Sequence, residues 1–169
     1  MSGKTIGLNL NNGFAGSYAR QPDMIINTHP NVESSANIPF GHALMVGSGG
    51  VQLPTASLTS ATFAGVASRQ VQSQLNYASQ NDAGAYKPND PVSCFQRGRI
   101  NVLCNTGTPA LNGNVYVAIK ASTGVAIGDF TATEGTLNTD TILLSNCKWG
   151  GAKDANNVVE LVILKADNA

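Results

Sequence analysis

The chain has 169 residues and carries ten basic and ten acidic side chains, so that only 12% of its residues are charged, against about 25% in typical soluble proteins. Its surface is therefore mostly neutral and polar, built from Asn, Gln, Ser, Thr and Gly, which suits adhesion by packing and hydrogen bonds with little salt dependence. The length fits one domain with an appendage, and the balanced charge excludes the basic footprint of a nucleic-acid binder.

The opening MSGKTIGLNLNNGF lacks the apolar segment of a secretory signal, and no run approaches the length of a membrane span. A cytoplasmic site of synthesis is expected. Residues 1–38 lack sustained periodicity, are rich in Asn, Gly and Ser, and are broken at Pro22 and Pro30, so they read as an extended arm that builds no core of its own. The arm nevertheless carries Phe14, Tyr18, Met24, Ile25 and Ile26, apolar groups that a purely solvated tail has no physical reason to hold. These five are candidate contacts, either to an edge of the same domain or to a neighbouring subunit.

From Pro39 onward the character changes, and residues 39–169 form the second unit. Short apolar or β-branched runs are expected as strands at Ala43–Val46, Phe63–Ala67, Val92–Cys104, Val115–Ile119, Ile142–Cys147 and Val158–Leu164. Their spacing points to an all-β sandwich or barrel. Turn chemistry separates them: GSGG at Gly47–Gly50 as a hairpin turn, PNDP at Pro88–Pro91, and Asn112-Gly113. GSGG lacks the Lys-Ser/Thr of a phosphate-binding loop. The stretch from Ser68 to Gln80 shows no clean helical stripe and reads as strand extension running into a loop.

Alternation assigns faces. Val115, Val117 and Ile119 oppose Tyr116, Ala118 and Lys120, while Val159, Leu161 and Ile163 oppose Val158, Glu160, Val162 and Leu164. The last strand is apolar on both faces except at Glu160, which predicts a central position or a covered second side. Val92, Cys94, Ile100, Val102 and Cys104 share parity across Gln96 and Gly98, where a bulge or bend is expected, and Arg97 and Arg99 then face outward.

No constellation for catalysis emerges. Asp82 and Asp90 stand beside Asn and Gly in loops, as turn-capping residues do, and His42 has no serine or cysteine near it in a nucleophile setting. The three cysteines, Cys94, Cys104 and Cys147, are odd in number and lack a CxxC spacing, which suits reduced structural thiols. On one straight strand Cys94 and Cys104 lie about 33 Å apart, too far to bridge. His29 and His42 share no ligand spacing with them, so neither metal nor other cofactor is expected. Asp129, Glu134 and Asp140 lack the close alternating oxygens of a calcium loop. Trp149, in CKWGG, is a core or interface anchor, or alternatively a platform for stacking a sugar ring.

The order FAGVASRQVQSQ, YKPNDPV, CFQRGRINVLC, NGNVYVAI and AIGDFTA resembles the structural cement, or decoration, proteins of tailed-bacteriophage heads, over roughly residues 38–165. The resemblance implies a β-rich virion protein with no catalytic residues. It further implies docking on the outside of the expanded head, against the major capsid protein, as a homotrimer. The alternatives are another virion β protein, at the head–tail joint or in a tail tube, and a carbohydrate-binding module resting on Trp149.

Overall fold

The computed structural model describes residues 11–69, 84–136 and 139–164. The expectations for residues 70–80 and for Asp82, and the first ten residues of the arm, lie outside the described residues. Among the described residues there are twelve strands: β1 (Tyr18–Pro30), β2 (Ile38–Pro39), β3 (Ala43–Gly47), β4 (Gly50–Gln52), β5 (Phe63–Ala67), β6 (Ala85–Tyr86), β7 (Pro91–Leu103), β8 (Val115–Ala118), β9 (Phe130–Thr131), β10 (Thr141–Leu144), β11 (Cys147–Trp149) and β12 (Val158–Ile163). No helix occurs among the described residues.

Seven strands form one antiparallel sheet in the order β11-β12-β7-β5-β3-β4, with β1 paired to β7; β10-β8-β9 form a second sheet and β2-β6 a third. The first two sheets pack as a sandwich. Between them lie Phe63, Val66, Phe95, Ile100, Val102, Leu161 and Ile163 from the large sheet and Val115, Val117, Phe130, Ile142 and Leu144 from the small one. Val115, Val117 and Ile119, and likewise Val159, Leu161 and Ile163, which alternation sets on one face, all lie in this core, because a half-buried strand places every second side chain on one face.

Strand β7 organises the sheet. Ile100 pairs with both Tyr18 and Leu161, and Phe95 pairs with both Ile26 and Val66. Strand β1 therefore runs along one edge of β7, while β12 and β5 share the other. The expectation of a bulge is met: adjacent Ile25 and Ile26 pair with Arg97 and Phe95, leaving Gln96 as the extra residue. A one-residue insertion exchanges the faces of everything beyond it. The parity reading is corrected accordingly. Val92 and Cys94 belong to a second cluster with Ile38, Phe40, Leu44 and Tyr86 on the outer face of the sheet, whereas Ile100, Val102 and Cys104 join Phe95 in the main core.

One further expectation needs correction. The run Ile142–Cys147 is not one strand, since β10 and β11 belong to different sheets and the chain crosses between layers at Ser145 and Asn146. The arm, which shows no period in its sequence, contributes the 13-residue β1. Its strand character comes from pairing with β7, a long-range hydrogen-bonded partner invisible to local patterning. The turns behave as read: Gly47 pairs with Gly50 across a two-residue hairpin loop, in which Gly49 has φ 85°, a conformation favouring glycine. In PNDP, Asp90 Oδ2 accepts the Lys87 N–H at 2.8 Å and the Asp90 N–H donates back to the Lys87 carbonyl.

Candidate interaction surface

The groups that first invite a chemical reading are all occupied structurally. His42 is mostly buried where β3 begins; its Nδ1 lies 3.0 Å from the Ile127 carbonyl and its Nε2 lies 3.2 Å from Asp129 Oδ1. Burial lowers its pKa from 6.5, against the opposing pull of Asp129 and of the Ile127 carbonyl. Asp129 in turn accepts the Ala126 N–H at 2.8 Å. The ring thus ties the loop of AIGDFTA to the large sheet. The three cysteines are free and buried, and burial pushes the Cys94 thiol up to about 12 and raises those of Cys104 and Cys147. Raised thiols are poor nucleophiles and poor metal ligands at neutral pH. Among the described residues no group of His, Cys, Asp or Glu stands close enough to hold a metal, and no helix is long and apolar enough to cross a membrane.

The six candidate contact residues separate into three kinds. Trp149 is 1% exposed and sits in the core, so its indole faces are unavailable to a sugar or to a second molecule in this fold. Met24 and Ile26 are partly buried against the chain's own main core. Phe14, Tyr18 and Ile25 remain open, at 49%, 39% and 47% exposed. Phe14 lies under Arg69, whose guanidinium carbon is 4.9 Å from the ring centroid. Tyr18 stacks on the buried Phe95 at 5.9 Å. The arm is thereby fixed to its own sheet. Gly16 and Ser17 exchange backbone hydrogen bonds with Asn101, and the Arg69 N–H donates to the Gly16 carbonyl.

Missed by sequence reasoning is a polar cluster on the outer face of the large sheet. Residues directly opposite across an antiparallel pair share a face; Ile25 pairs with Arg97, and both Arg20 and Val162 pair with Arg99. Glu160, the one charge on the last strand, bonds two of these arginines: its Oε2 accepts from Arg20 Nε at 2.9 Å and its Oε1 accepts from Arg99 Nη1. Arg97 Nε lies 3.2 Å from Asp23 Oδ1. Burial raises the Glu160 pKa, but the hydrogen bonds and charges of Arg99 and Arg20 outweigh it, so the carboxyl sits below its ordinary 4.5. Glu160 and the pair Arg97/Arg99 are each visible in the sequence. Arg20 and Asp23 join them only because β1 runs beside β7.

With this surface in view, comparison with known proteins is decisive. The family described as Structural cement protein (E217 gp24/Pam3 gp6) matches residues 3–164. The chain belongs to the phage structural cement protein family. The match extends the resemblance read from residues 38–165 back through the arm, in keeping with β1 being an integral strand. The cement protein is a structural virion component with a capsid-stabilising role. Among solved structures, a chain of "The capsid of Myoviridae Phage XM1" has the same fold, with a TM-score of 0.71 at 19% identity, covering 98% of this chain and 99% of that chain. No curated protein matches.

Proposed function

We propose that the protein decorates the exterior of the expanded phage head as a homotrimer, contacts the major capsid protein directly, and braces the lattice without catalysing a reaction. The observation that carries this reading is the family match over residues 3–164. The side-chain inventory supports it: His42 and the three cysteines are absorbed into packing and loop anchoring, and the remaining prominent features are exposed apolar groups and an arginine cluster. Contacts of this kind are individually modest, and a symmetric oligomer on a repeating lattice multiplies them. Synthesis in the host cytoplasm precedes assembly on the head. No cofactor, nucleic acid or membrane takes part in this reading.

The test is direct. Purified protein added to expanded, undecorated heads is expected to bind at a fixed stoichiometry seen by cryo-EM, with a solution mass of three chains. Absence of stoichiometric binding overturns the decoration reading. A hexameric or polymeric solution state favours the head–tail joint or a tail tube instead.

A further inference from the structure

The chain contains four arginines, Arg20, Arg69, Arg97 and Arg99. Arg69 is committed to the rings of Phe14 and Phe40. The other three line one cleft of about 400 Å³, where residues 21–24 of β1, which together stand opposite Gly98, face the end of β12. In a chain with so few charges, this concentration on one face is not the scatter expected of a merely solvated surface.

Two carboxylates, Asp23 and Glu160, stand against three guanidiniums, leaving one positive charge uncompensated. Glu160 is the internal member: its side chain is 14% exposed, whereas those of Arg20, Arg97 and Arg99 are 68%, 51% and 43% exposed. By bonding Arg20 through Nε and Arg99 through Nη1, Glu160 holds both side chains in place and leaves further N–H donors of each without a bonding partner among the described residues. Such a preorganised guanidinium loses little conformational entropy when it meets a second carboxylate, and its planar fork matches that partner's two oxygens. Leu164, 58% exposed, and Ile25, on the face of Arg97, supply apolar flanks. Arginine beside exposed aliphatic surface is the composition of a protein–protein anchor point.

We infer that this cleft receives an acidic side chain of the capsid lattice protein, the Arg20–Arg97–Arg99 cluster forming the charged anchor of the docking surface. The inference rests on the cement reading for the identity of the partner. Charge argues against a polyanion. The excess is a single positive charge, Asp23 is 70% exposed at the rim, and the whole chain is neutral, whereas nucleic-acid affinity grows with the number of phosphates neutralised.

The experiment titrates the full chain onto expanded, undecorated heads and reads occupancy, with solution mass and melting temperature measured alongside. Wild type is expected to saturate the heads, while Arg97→Glu and Arg20→Glu each require about tenfold more protein for half occupancy, at unchanged mass. Should either charge reversal melt early, Arg97→Gln and Arg20→Gln serve in its place, with a smaller loss expected in the same assay. Variants that decorate as well as wild type overturn this inference and leave the cement reading standing. Failure of wild type to bind overturns both. Loss of the oligomer together with head binding assigns the cleft to a second copy, and preferential binding of a single-stranded oligodeoxynucleotide assigns it to nucleic acid; each of these overturns the capsid assignment.

Discussion

The outer face of the large sheet has two halves that differ in what covers them. At one end Val92 and Cys94 on β7 lie under Ile38, Phe40 and Tyr86, brought by the short β2–β6 pair, and none of these side chains meets solvent appreciably. Phe40 and Tyr86 meet edge to face at 5.1 Å, and the Tyr86 hydroxyl donates to the Ser68 carbonyl at 2.6 Å. At the other end Arg97 and Arg99 line an open cleft between β1 and the end of β12, with Glu160 bonded to Arg99. The same strand thus contributes a third layer of core at one end and an open charged cleft at the other. The division falls at the bulge of Gln96. Without it, strict alternation would send Arg97 and Arg99 inward alongside Phe95, where two unpaired guanidiniums are prohibitively costly.

The covered half should be the stability-bearing one. Phe40→Ala, which removes its lid, is expected to destabilise by about 3–5 kcal/mol in equilibrium urea unfolding. A loss below 1 kcal/mol would make the two halves energetically alike. At the boundary, Gly98 has φ 110° and a Cβ there would overlap the Asp23 carbonyl oxygen. Gly98→Ala is therefore expected to cost about 1–3 kcal/mol and to loosen β1, readable as faster amide exchange across Arg20–Ile25 than across Ile26–His29, which pair with the covered end of β7.

The open half should respond to charge and acid. Glu160→Gln is expected to cost about 1–2 kcal/mol, because two guanidiniums lose their ionised acceptor. The acid dependence has a definite sign. Glu160 sits below 4.5 in the fold, so its contribution is present above that value and is lost as pH falls through its folded pKa. His42 is likewise lowered from 6.5; the unfolded chain binds that proton first, so stability begins to fall once pH drops below 6.5. Unfolding midpoints recorded at stepped pH should show the Glu160 portion vanish in Glu160→Gln while the His42 portion persists. The smallest effect is at Ile25→Ala. This half-exposed side chain should change unfolding free energy by less than about 0.5 kcal/mol, and a larger change would mean that Ile25 belongs to the fold as much as Ile26 does.

The sequence by itself determined the all-β class, the hairpin at GSGG and the structural character of His42 and the cysteines. These rest on local signals: alternation, turn residues, and the absence of ligands or nucleophiles at workable spacings. The order of its short elements also carried the resemblance to cement proteins, which the family match extends into the arm. Only the tertiary structure decided that β1 is a strand, that Trp149 is core, that Val92 and Cys94 face away from Ile100 and Val102, and that Arg20 and Asp23 meet Arg97, Arg99 and Glu160. Each of these depends on which distant segment lies alongside, or on a single inserted residue that exchanges faces, and neither leaves a period in the residues concerned.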